Sequence, residues 1–177
     1  MGTYGYISII AMVCYAFMLL MFLAAKRNKI VNSFLVVLTG LLLWTGGSAF
    51  MRAQLWPQYE FWYQVSLFGI LLLPYAYYRF ILAFGGVREG MVGKIYLAVI
   101  LICLVANIWN GFFLACPELV KKNGTPTFVY DIKPTILVLF FLVGAFLLHL
   151  FVILVHICKA LPNMKRTRRG VMFLSEI

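Results

Sequence analysis

The sequence predicts an all-α integral membrane protein, a polytopic bundle of five transmembrane helices. Three observations predict it. Of 177 residues, 64% are hydrophobic and only 11% are charged, whereas a soluble domain is about 45–50% apolar and about 25% charged. The chain lacks the polar surface to cover a globule in water, which excludes a soluble enzyme, a disordered tail and a coiled coil. The apolar residues fall in five continuous runs, each about the 20 residues that carry an α-helix across the hydrocarbon. None of the runs alternates strictly between apolar and polar, so membrane strands are not expected.

The elements follow in order within a single domain, 1–177. The first run, 3–25, has no basic residue before it and a basic cluster after it. It is also too long for a secretory signal, so it reads as a retained helix. Lys26, Arg27, Asn28 and Lys29 separate it from the second run, 30–51. A break over 52–60, with Pro57, leads to the third run, 61–84. Residues 85–94 are a glycine-rich loop before the fourth run, 95–116. The longest break, 117–133, holds Gly124, Pro126 and Asp131, and its β-formers over 125–132 suit a short hairpin or a lid. The fifth run is 134–158, followed by a basic connector, 159–177.

The net charge of +10 is distributed by segment. With the N-terminus outside, the inner segments hold Lys26, Arg27, Lys29, Arg88, Lys94, Lys159, Lys165, Arg166, Arg168 and Arg169. The outer segments hold only Arg52, Lys121, Lys122 and Lys133. Basic residues accumulate on the cytoplasmic side, which predicts an N-out, C-in chain. Trp56, Tyr59, Phe61, Trp62 and Tyr63, with Trp109, Phe112 and Phe113, suit an aromatic belt at the outer interface. No basic run is interleaved with aromatics in a polar segment, so the expected partners are membrane lipids and not nucleic acid.

Few residues carry chemistry. Cys14 and Cys103 lie inside helices, Cys158 at the inner end and Cys116 at the outer end, so no disulfide and no zinc site are expected. Asn123, Gly124 and Thr125 match a glycosylation sequon on the outer side. His149 and His156 share a face of the fifth helix, two turns apart. One helix cannot place both on a single haem iron, and no cofactor is expected. His149 stays a candidate for metal or catalysis because ionisable residues inside a membrane are functional by default; its other reading is a hydrogen bond to a neighbouring helix. The acidic residues are Glu60, Glu89, Glu118, Asp131 and Glu176. None lies deep in a run, which excludes paired-carboxylate catalysis and a carboxylate-driven pump.

Arg79 is the one strong charge inside a run. At mid-bilayer it would cost about 2.5–3.5 kcal/mol. Close to the inner loop, it can reach water as an anchor, or it can pair with a moving partner as a switch. Pro74, one turn earlier, is a hinge candidate. Toward the outer side, Thr45, Ser48, Gln64, Ser66, Asn107 and Asn110 fall at similar depth, among Trp44, Trp62, Tyr63 and Trp109. One reading is interhelical glue beside the small residues Gly46, Gly47, Ser48 and Ala49. The other is an outward-opening cavity with Trp44, Ser48, Trp62, Gln64, Asn107 and Asn110 as ligand contacts.

Longer motifs point to a family. NSFLVVLTGLLLWTGGSAF at 32–50, LWPQYEFWYQVSLFGILLLPYAYYRFILAFGG at 55–86, ANIWNGFF at 106–113 and the basic KALPNMKRTRRG at 159–170 carry the likeness. The chain resembles the N-terminal seven-transmembrane sensor region of bacterial histidine kinases and diguanylate cyclases. The resemblance implies two more helices and a cytoplasmic signalling domain. Here 171–174 is apolar enough only to open a sixth helix, so the expectation is a fragment, an ordered part, or a free-standing five-helix protein. No kinase histidine motif or GGDEF motif is present, so catalytic output would lie outside these residues. The expected function is a sensor input domain in the bacterial cytoplasmic membrane. It would detect a small apolar or amphipathic ligand or a membrane state, as a homodimer or larger complex. The alternatives are a non-catalytic subunit of a transporter or larger complex, and a small enzyme using His149.

Overall fold

The structure, a computed structural model, describes residues 3–122, 125–131 and 133–174, and the side chains of 6–120, 128–131 and 133–159. In lipid only a helix or a closed barrel satisfies its own backbone, and continuous apolar runs take the helix. Five helices form: α1 (Thr3–Leu23), α2 (Lys29–Arg52), α3 (Tyr59–Gly85), α4 (Met91–Asn110) and α5 (Ile136–Leu174). Each contains a stretch long and apolar enough to cross a membrane. Between α4 and α5, β1 (Glu118–Lys122) and β2 (Thr125–Val129) pair antiparallel, with Glu118 opposite Val129 and Lys122 opposite Thr125.

Local chemistry sets the boundaries. Asn28 caps α2 by accepting the Val31 N–H at 2.7 Å, which satisfies one of the free donors of the first turn. Gly86 ends α3 with φ 68°, and Gly111 ends α4 with φ 54°. In both places the left-handed backbone that glycine tolerates lets the chain leave the helix. For this reason the fourth helix lies at Met91–Asn110 and not at 95–116. The fifth continues beyond 158, so the expected connector is helical as far as Leu174. At 39 residues α5 is about 58 Å long, about twice the thickness of the hydrocarbon. The sequon residues Asn123 and Gly124 and the terminal 175–177 lie outside the described residues.

The bundle is organised around α3, which packs against α2, α4 and α5, while α1 packs on α2. Glycines make the α2–α3 contact close. A Cβ added to Gly69 would stand 2.4 Å from the Trp44 backbone nitrogen, and one added to Gly47 would stand 2.6 Å from that of Ser66. Backbones that approach this far gain van der Waals contact, the main attraction between helices in lipid. Ser66 Oγ donates to the Trp44 carbonyl at 2.9 Å across the same seam. On the other side, Leu67, Leu71, Tyr75, Tyr78 and Leu82 of α3 share a core with Tyr96, Ile100 and Leu104 of α4 and Phe146 of α5. Tyr96 and Phe146 stack with centroids 3.5 Å apart.

The bundle has two distinct ends. At the hairpin end lie the α2–α3 turn, the end of α4 and the β-hairpin, with Tyr59 of α3 against Phe128 of β2. At the basic end lie the α1–α2 and α3–α4 loops. There Phe22, Phe34 and Phe80 contact in series across α1, α2 and α3, and Gly85 faces Ile157 of α5.

Candidate functional site

At the hairpin end, polar side chains hold the chain where it leaves α4. Asn107 is buried, and its Oδ1 accepts the N–H groups of Phe113 at 3.1 Å and Leu114 at 2.9 Å. Tyr63 of α3 donates its hydroxyl to the Leu114 carbonyl at 3.2 Å. Lys133 Nζ donates to the Gly111 carbonyl at 2.8 Å, and Thr135 Oγ1 donates to that of Phe112. Trp62 Nε1 is shared between the carbonyls of Leu55 (3.2 Å) and Trp56 (3.3 Å), which pins the α2–α3 turn. Burial and the nearby Glu60 carboxylate push the Cys116 thiol up from its ordinary value.

Two of the six sequence-derived ligand contacts line separate grooves. Trp62 lines an apolar groove of about 500 Å³ with Met12, Phe17, Gly46 and Phe50. Asn110 lines a second groove of about 580 Å³ on α4, beside Trp109. Trp44, Ser48, Gln64 and Asn107 line neither groove. Gln64 Oε1 and Asn107 Nδ2 are nevertheless buried without a hydrogen-bond partner in the structure, and buried polar atoms ordinarily have one, from protein, water or ligand.

At the basic end, Arg79 meets a partner that sequence reasoning missed. Its Nε lies 3.8 Å from Glu89 Oε2, and Tyr75 donates its hydroxyl to Glu89 Oε1 at 2.9 Å. Glu89 is the single carboxylate of the loop after α3, and that was the available signal. Pro74, buried inside α3, immediately precedes Tyr75. Proline has no N–H, so the Ile70 carbonyl one turn back loses its helical donor. Beside Glu89 opens a recess of about 640 Å³ whose polar lining is Lys29, Asn32, Ser33, Arg79, Arg88 and Glu89.

The histidines form no centre. His156 Nδ1 lies 2.9 Å from the Val152 carbonyl of its own helix, and His149 is half-buried. Among the described residues, no three His, Cys, Asp or Glu side chains gather to hold a metal ion.

Five apolar helices, three of them packed on α3 and α1 seated on α2, with polar contacts collected at the two ends, define an integral membrane helical domain. Residues 7–175 match the family model described as the N-terminal 7TM region of histidine kinase, and the chain belongs to that family. It is therefore a membrane sensor input domain of the kind that histidine kinases carry. No curated protein and no solved structure matches the chain.

Proposed function

We propose that this domain converts the binding of a small apolar or amphipathic ligand, or a change in the bilayer, into a change of helix packing about α3. In this reading it lies in the bacterial cytoplasmic membrane, hairpin end outside and basic end inside, as a homodimer or larger complex. The observation that carries the reading is the position of α3. It touches α2, α4 and α5, so a displacement at the hairpin end travels to the basic end along one element. A ligand shifts the balance only by its difference in affinity between two packings. The unpartnered atoms of Gln64 and Asn107 support a polar contact at the hairpin end, with Trp44, Ser48, Trp62 and Asn110 as further contacts. Pro74 is the hinge, because a helix missing one backbone hydrogen bond bends there at least cost. Arg79, five residues after Pro74 and paired with Glu89 of the following loop, is the switch or anchor. The contact of Gly85 with Ile157 links α3 to α5, whose helical extension carries the bias into the cytoplasmic connector.

The test is autophosphorylation of the full gene product in vesicles of short-chain and long-chain phosphatidylcholine. The expected result is a rate that differs between the two bilayers and a Pro74→Ala variant in which the difference shrinks at equal protein content. Equal rates of the unaltered protein in both bilayers would remove the bilayer-sensing arm. An undiminished difference in Pro74→Ala would remove the hinge.

A further inference from the structure

We propose that the recess between α2 and α3 at the basic end is a binding site for a phosphate-bearing anion, independent of what the hairpin end detects. Its charge is unbalanced. Lys29, Arg79 and Arg88 face it against one carboxylate, Glu89. That carboxylate is already engaged, one oxygen by the Tyr75 hydroxyl and the other by Arg79. Among the described residues Lys29 and Arg88 form no ion pair. Two cations therefore stand without a counter-charge beside a preformed cavity.

The surroundings favour a phosphate. Lys29 and Asn32 belong to the first turn of α2, where the helix dipole adds positive potential. At the end of α3, the Gly86 N–H bonds the Ala83 carbonyl at 3.3 Å and the Val87 N–H bonds that of Leu82 at 2.9 Å. Two carbonyls that would repel an anion are thereby occupied. Arginine and lysine together supply the donors that phosphate oxygens accept. The same recess is lined by Val36 and Leu82, so apolar wall and cationic mouth meet where the membrane span begins. Basic pockets between transmembrane helices hold lipid head groups in this way. About 640 Å³ accommodates a head group or a small phosphate compound, not a folded partner.

Native mass spectrometry of the whole chain, released from mixed vesicles of phosphatidylglycerol and phosphatidylcholine, tests the site. Phosphatidylglycerol should be retained in preference. Lys29→Gln combined with Arg88→Gln should reduce the preference about fivefold for each cation removed. Lys94→Gln removes an exposed cation of α4 that does not line the recess, and it should leave the preference unchanged. Inorganic phosphate then distinguishes the sources. Release of the lipid means that the phosphate group alone is recognised, and persistence means that the lipid as a whole is the ligand; both support the site. No preference for phosphatidylglycerol, equal retention by the double variant, or an equal loss in Lys94→Gln would overturn it. Both altered side chains are exposed, so the double variant should keep the thermal unfolding midpoint of the parent.

Discussion

The α2–α3 pair and the α4–α5 pair are made of similarly apolar residues, yet they pack differently. In the most apolar windows of α2 and α3, 44% of residues are buried against neighbours, compared with 22% in α4 and 6% in α5. The first pair meets backbone to backbone through Gly47 and Gly69. The second leans on α3 at separated points, where Gly93 receives the Tyr78 ring, Phe146 meets the same ring and Gly85 meets Ile157, and its own two helices meet where Phe146 stacks on Tyr96. Water does not drive helices together in lipid, so close contact is the main source of attraction. The difference teaches that the α2–α3 seam is the tightest contact of the domain, whereas α4 and α5 hold to α3 through a few side chains.

The largest effect should come from filling the tight seam. A methyl group at Gly69 would meet backbone atoms of Trp44 at 2.4 Å and of Gly40 at 2.8 Å, and backbone cannot swing aside. Gly69→Ala should destabilise the domain by about 1–3 kcal/mol, the range for overpacking. Gly144 of α5 has nothing within 4 Å of its would-be Cβ. There Gly144→Ala should be neutral or stabilising by up to about 1 kcal/mol, from helix propensity alone. Thermal unfolding in one detergent compares the two directly. Equal midpoints for both variants would erase the distinction between the pairs.

A smaller effect is expected where α4 ends. Asn107→Ala removes the acceptor of two backbone N–H groups, one buried and one partly buried. Leaving buried donors unmet costs about 1–3 kcal/mol. Partial relief comes from the orphaned Asn107 Nδ2, which disappears with the side chain. The loss should therefore fall toward the lower part of that range and should appear as faster amide exchange at Phe113 and Leu114. Unchanged exchange at those two amides would mean that Asn107 does not hold the loop.

These contrasts also explain what was readable from the sequence. Five spans were legible because hydrophobic length is a one-dimensional property. The end of α4 was not, because the apolar run continues through Phe112 and Leu114 while Gly111 turns the backbone. Gly46 and Gly47 stood out as a small-residue patch, yet the contact depends as much on Gly69, an isolated glycine whose partner lies on another helix. Arg79 was evident as a charge in an apolar run. Its pairing with Glu89 depends on how the loop after Gly86 folds back, which composition does not encode. Depth arithmetic placed Trp62 and Asn110 at one level, but rotation about each helix axis put them in separate grooves.

The smallest effect concerns Cys116, and it also tests which way the bundle faces. Its thiol is raised first by burial and second by the Glu60 carboxylate, so at neutral pH less of it is the reactive thiolate than in an ordinary cysteine. With the hairpin end outside, a charged methanethiosulfonate reagent added to intact cells should modify Cys116. Its rate should keep climbing as pH rises past the ordinary thiol range. Glu60→Gln removes one negative neighbour and should move the rate profile to lower pH without closing access. Burial remains in that variant, so the profile should still lie above that of a free thiol. Modification that requires permeabilised cells would reverse the proposed orientation, whereas a profile unmoved by Glu60→Gln would leave burial as the sole cause of the shift.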